Sequence, residues 1–347
     1  REPRVFRVVL TGGPCAGKTT ALSMIADHFR GLGWRVYMAR EAASVLLSGG
    51  INFALFNAEQ AYVTQLSIAR TMMVLEEAYA GICRAGPSTE RCLVICDRGL
   101  MDASVFCDKA TWERILGDLR LDHASACDLR YDGVVHLVTA AEGAEEHYNL
   151  ESNADGVRTE TPQQARELCE RTGRAWNSHP TKVVVDNSTD FRTKLVRGLA
   201  AVCRMVGVPA PDRDARRRKW LVARANLKGA GLTVSASDCE YTYLRSFDGC
   251  QHRLRRRAAD GGLLYSHIRR TVDESGLDTE VKRNIRRREY LELLAHQDPS
   301  RSMIRLVKQA FTFKGHTFHL NTVVPAPPRS APVAAPASAE AAAMAAP

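Results

Sequence analysis

Nine consecutive residues carry a recognisable chemistry by their spacing. Gly12, Gly13, Pro14, Cys15, Ala16, Gly17, Lys18 and Thr19 fit G-x-x-x-x-G-K-[ST], and Thr20 follows. Such glycines let backbone N–H groups turn inward around a phosphate. Lys18 then reaches the β- and γ-phosphates, and the Thr19 hydroxyl serves Mg²⁺. The pattern predicts a bound nucleotide with Mg²⁺. It does not choose GTP or ATP, because its contacts are to phosphates, and no N-K-x-D base motif is present.

Further residues are placed to act on that phosphate. Asp97 closes the apolar run RCLVICD, where an acid would help hold the loop's Mg²⁺, and Arg98 adds a cation beside it. Glu41 closes RVYMARE. It would take a proton from an attacking hydroxyl or, equally, begin the helix of EAASVLL. Residues 142–180 read as a lid, with a helix opened by Thr161, Pro162 and Gln164 and carrying Arg166, Arg171 and Arg174. Glu167–Arg171 and Glu170–Arg174 have the spacing of ordinary surface pairs, so Arg166 is the preferred phosphate-facing arginine.

These positions need a scaffold. VFRVVL is β-branched before the loop, and Leu22, Ile25, Ala26, Phe29 and Leu32 recur at helical spacing after it. Further strands at RVYMARE, RCLVICD, YDGVVHLVT and TKVVVDNS alternate with helices, one of them capped by Asn57 and Gln60. Residues 1–207 therefore predict an α/β three-layer P-loop domain with a parallel sheet, whose ligands lie beyond the strand C-terminal ends. Residues 208–237, with two prolines and a charge run, read as a linker. Residues 238–324 read as short antiparallel strands forming a sheet or barrel, with a helix at REYLELLAH, and 325–347 as a disordered Pro/Ala-rich tail.

The charge is divided unevenly. Residues 213–308 hold 22 Lys/Arg against 12 Asp/Glu, while the rest of the chain is near balance, so the second half is suited to an anionic partner. Arg253, Arg255 and Arg257 alternate on one strand face, and Arg269 and Lys282 lie on neighbouring strands. Together they predict a basic concave surface for a phosphorylated headgroup. Nucleic acid is disfavoured, since neither a recognition helix nor interleaved stacking aromatics is present. No run approaches the roughly 18 apolar residues of a membrane span. The ten scattered cysteines read as reduced core thiols of a cytoplasmic protein. The chain opens on Arg1, which leaves a preceding segment open.

TGGPCAGKTT, REAASVLLSGGI, CDRGLMDAS and AWNSHP…VVVDNS, in that order, resemble the P-loop domain related to bacterial ribosylnicotinamide kinase. They are more similar to its eukaryotic form, which precedes a CYTH-like domain in the TRPL translocation defect proteins. The resemblance spans residues 5–324 and implies a kinase-like sheet, a guanine or adenine nucleotide near Asn187, and phosphoinositide binding at a peripheral membrane surface. CYTH enzymes carry E-x-E-x-K. Here Asp238 and Glu240 remain, Thr242 replaces the lysine, and Asn321 stands where an acid would help bind metal, which argues against triphosphatase chemistry. Three functions follow in order: a nucleotide-binding regulator docked on phosphoinositide membranes, a small-molecule kinase, and a degenerate triphosphate-tunnel enzyme.

Overall fold

In a computed structural model, residues 4–148, 160–210, 220–259 except 224, 228 and 230, 262–272, 278–313 and 316–325 are described. Much of the expected lid (149–159), part of the linker (211–219) and nearly all of the tail (326–347) lie outside the described residues.

The first half is a five-stranded parallel sheet. Along the chain come β1 (Arg4–Gly12), α1 (Lys18–Gly31), β2 (Arg35–Ala39), α2 (Ala42–Leu47), α3 (Ala58–Arg84), β3 (Arg91–Asp97), α4 (Leu100–Ala103) and α5 (Lys109–Asp118). A π-helical turn at Ser125–Leu129, β4 (Gly133–Leu137), α6 (Pro162–Ala175), β5 (Lys182–Val185) and α7 (Phe191–Val206) follow. The strand order is β2-β3-β1-β4-β5, with the phosphate-loop strand at the centre.

Alternation along β1 divides the core. Val8 and Leu10 pack with Ile25 and Phe29 of α1 and with Leu199 and Val202 of α7. Val9 points the other way, into Leu66 and Met72 of α3, Ile115 of α5, and Trp176. Both faces of the sheet are covered, which is why its strands are largely apolar. The capping boxes at Asn57/Gln60 and Thr161/Gln164 start α3 and α6 where the sequence places them.

The second half is a six-stranded antiparallel sheet, ordered β11-β10-β6-β7-β8-β9. Its elements are β6 (Val234–Leu244), β7 (Gln251–Ala259), β8 (Gly262–Val272), β9 (Asp278–Ile285), α8 (Arg287–Leu294), β10 (Ile304–Phe313) and β11 (His316–Val324). Among the described residues β9 and β11 each pair on one side only, so the sheet is open. One face takes α8 through Leu244, Leu254, Ile285 and Tyr290. The other packs on the P-loop domain.

Candidate functional site

The phosphate loop is shaped by close approach. Gly12 has φ +142°, and a Cβ there would fall 2.0 Å from the Leu137 carbonyl oxygen of β4, so no side chain fits. Thr139 Oγ1 donates to the Pro14 carbonyl oxygen (2.5 Å), and the Ala140 N–H to that of Cys15 (3.2 Å), tying the crest of the loop to the end of β4. Gly17 caps α1 at φ +84°, and the first turn of α1 holds no acidic side chain. An anion placed at this helix start would meet no competing carboxylate from the first turn. Lys18 Nζ donates to the carbonyl oxygens of Gly12 (3.1 Å) and Gly13 (2.8 Å), which holds the ammonium at the loop's mouth. Thr19 and Thr20 are exposed on the first turn.

Three charged residues gather at the neighbouring strand ends. Asp97 lies beside Leu10 in the β1–β3 register. Burial raises its carboxyl above the usual carboxylate range, and nearby Glu41 adds to this, against the opposing pull of Lys18 and Arg98. Its Oδ1 is buried without a hydrogen-bond partner. A buried carboxylate oxygen without a hydrogen-bond partner, close enough to Lys18 to feel its charge, is a hard-oxygen donor that suits Mg²⁺. Arg98 follows at φ +67°, a strained conformation for arginine, with its N–H on the Leu10 carbonyl oxygen (3.0 Å). Its guanidinium pairs with Glu41. Burial opposes ionisation of Glu41, but Arg98, the Ser44 hydroxyl (2.7 Å) and Lys18 outweigh it and hold the carboxyl below its usual range. Glu41 occupies the N-cap position of α2 with no side-chain cap bond, so its carboxylate belongs to Arg98 and Ser44.

The expected lid arginines are placed differently. α6 packs into the domain through Ala165, Cys169, Thr172 and Gly173. Arg166 donates to the Ala141 carbonyl oxygen (2.7 Å) and lies 3.7 Å from Glu145, bracing the loop after β4. Arg171 bonds the Val105 carbonyl oxygen, and Arg174 pairs with Glu170. Asn187 has its amide committed: Nδ2 donates to the carbonyl oxygens of Thr139 (2.7 Å) and Glu142 (2.6 Å), and Oδ1 accepts from Lys194 (2.7 Å).

The basic face on the second sheet also needs correction. Arg253, Arg255 and Arg257 do share a face, but it is turned toward the P-loop domain. Arg257 pairs with buried Asp128 and donates to the Ser178 carbonyl oxygen (2.5 Å). Arg255 is buried against Ser266. The Lys282 ammonium is buried too. Burial and Arg255 push its pKa down to about 7, against the attraction of Asp132. Arg253 pairs with Glu280 at the rim, and Arg269, on the opposite face, pairs with Asp248 (3.1 Å). These five cations therefore do not form one open surface. Arg286 and Arg288 lie beyond the end of β9, at and within the start of α8. Glu240 is engaged by Arg256 (2.7 Å) and Arg305 (3.1 Å).

Sequence reasoning passed over Asp102. It accepts from Thr11 Oγ1 (2.6 Å), the Gly99 N–H (2.8 Å) and Trp176 Nε1 (3.1 Å). The available signal was its place three residues after Gly99, a capping spacing with Gly and Asp in the usual Ser and Glu roles.

Residues 7–194 match the family model of the AAA domain. The chain belongs to the AAA domain family. Its matched part covers β1 through the first turn of α7, and so contains the phosphate loop, Glu41, Asp97, Arg98 and Asp102. Among solved structures, thymidylate kinase from Ehrlichia chaffeensis is similar at 14% identity with a TM-score of 0.38, over 58% of this chain and 98% of that one. No curated protein matches. Among the described residues, no helix is long and apolar enough to cross a membrane.

Proposed function

We propose that this protein binds a Mg²⁺-complexed purine nucleoside triphosphate, GTP or ATP, on Gly12–Thr20 and transfers its terminal phosphoryl group to a small hydroxyl-bearing acceptor. The carrying observation is the Glu41–Arg98 pair beside the orphaned carboxylate of Asp97, at the strand ends facing the phosphate loop. Thr19 and Asp97 would hold Mg²⁺, which neutralises charge on the phosphates when bound. Glu41 is ionised across the neutral range and accepts the acceptor's proton as its oxygen bonds to phosphorus. The bond from phosphorus to the bridging oxygen breaks, and nucleoside diphosphate leaves. Lys18 and Arg98 supply positive charge on either side of the phosphoryl group.

A regulator that binds nucleotide with little turnover is the second reading, favoured by the tight docking of the second sheet. A phosphoinositide surface is less supported, since Arg255, Arg257 and Lys282 face inward and Arg253 and Arg269 are paired. The deciding experiment follows nucleoside diphosphate release with and without candidate hydroxyl acceptors, in wild type and Glu41→Gln. Acceptor-stimulated release lost in the variant supports transfer. Binding without release in either protein supports the regulator.

A further inference from the structure

Trp176 and Ser178, in the AWNSHP segment, have no part in the chemistry above, yet the indole is completely buried. Its Nε1–H donates to Asp102 Oδ1 (3.1 Å), which also accepts from Thr11, the residue before the phosphate loop begins. The other oxygen of Asp102 holds the Gly99 N–H, directly after Arg98. A Cβ on Gly99 would fall 2.8 Å from the indole ring, so the turn bearing Asp97 and Arg98 rests on that ring. The ring also meets Tyr131 edge-on (5.4 Å between centroids), and Tyr131 OH accepts from the Leu100 N–H (2.8 Å).

The far side of this cluster is where the second sheet docks. Arg257 spans two segments: it pairs with Asp128 on the π-helical turn before Tyr131, and donates to the Ser178 carbonyl oxygen two residues after Trp176. Asn284 of β9 adds a bond to the Asp128 carbonyl oxygen (3.2 Å). His179 ties the segments to each other. Its Nδ1 accepts from the Thr181 N–H, so Nε2–H donates to the Tyr131 carbonyl oxygen (3.1 Å). Burial pushes its pKa down to about 3, which keeps the ring neutral and this arrangement fixed.

We infer that Trp176 is a positioning residue of the phosphate site, and that Arg257 of the second sheet sets its place. The inference rests on the nucleotide reading above and adds that the second domain tunes that site through contact. A chain of residues, Arg257–Ser178–Trp176–Asp102–Thr11, joins sheet and phosphate loop, all buried except the half-buried Ser178.

The test compares the full chain as wild type, Trp176→Phe, Arg257→Lys and the double variant. Trp176→Phe keeps an aromatic ring and removes the N–H. Arg257→Lys keeps a charge for Asp128 and removes the second prong to Ser178, which avoids the unfolding that a truncated partner of a buried pair invites. Mg²⁺-ATP and Mg²⁺-GTP affinities and amide hydrogen exchange over residues 11–18 are read for each. Each single variant is expected to weaken nucleotide binding by about fivefold or more, with the double variant no worse than the weaker single. Exchange over the loop should quicken in each variant even without nucleotide. Unchanged loop exchange in both variants, or strictly additive losses of affinity, would overturn the coupling. Wild type that binds neither nucleotide would sink the nucleotide reading alone, and the exchange data would still decide the coupling.

Discussion

Glu41 and Arg98 form an ion pair across 57 positions of chain, one from the end of β2 and the other from the turn after β3. The pairing fixes both groups at the open end of the sheet and sets the acidity of the carboxyl. Removing Arg98 leaves burial less opposed, so the pKa of Glu41 rises. Since Glu41 must be ionised to accept a proton, the acid limb of the turnover–pH profile should move to higher pH in Arg98→Gln. An acid limb that stays in place in this variant would remove Glu41 from the reaction.

Glu41→Gln separates binding from chemistry. Loss of general-base function is expected to slow acceptor-dependent turnover by about 100-fold or more. Nucleotide affinity should stay within about threefold, because the phosphates are held by the loop and not by Glu41. Equal losses in both quantities would make Glu41 a binding group.

Asp97→Asn tests the metal site. The substitution keeps the shape of the side chain and removes the charge that a buried Mg²⁺ ligand needs. Titrating Mg²⁺ at fixed nucleotide should show a requirement shifted to higher concentration, with nucleotide affinity in the absence of Mg²⁺ little changed. A Mg²⁺ curve identical to wild type would place the ion elsewhere.

The P-loop domain was legible because its signals are local. Loop spacing, two capping boxes and β-branched runs each act within a few residues, and the strands and helices stand where they point. The placement of Arg255, Arg257 and Lys282 was not. Alternation along a strand tells which residues share a face, but not what covers it. Alternating arginines look solvated until their partners are seen, and Asp128 and Asp132 come from the other half of the chain. Arg166 escaped for a related reason: its partners are a backbone carbonyl and Glu145, which no helical spacing reveals. Asn187, expected near the base, has every polar atom of its amide on the backbone or on Lys194.

That observation makes Asn187 testable. Asn187→Ala removes one of the Lys194 ammonium's acceptors and the donor to the Thr139 and Glu142 carbonyl oxygens, and should lower stability by about 1–3 kcal/mol. It should weaken ATP and GTP binding by the same factor, since no base contact is lost. A changed ATP-to-GTP preference would restore Asn187 to the base.

Lys182 gives the stability a pH dependence. Its ammonium is buried, bonded to the Gly173 carbonyl oxygen (2.6 Å) and Asn177 Oδ1 (2.9 Å), and burial pushes its pKa down to about 7 from an ordinary 10.5. Between those values the unfolded chain binds more protons than the folded one, so this group makes stability rise with pH across that window and nothing below it. Urea unfolding at pH 7, 8 and 9 should show the stability difference between wild type and Lys182→Met shifting in favour of wild type, by up to about 1.4 kcal/mol per pH unit. A difference constant with pH would mean Lys182 stays charged when folded.

The phosphate loop itself is tested most directly by titrating wild type and Lys18→Ala with Mg²⁺-ATP and Mg²⁺-GTP, following binding and nucleoside diphosphate release together. Binding of at least one nucleotide to wild type, lost in Lys18→Ala with the fold intact, is the expected result. Binding or turnover that survives Lys18→Ala unchanged would contradict the assignment of the site to Gly12–Thr20.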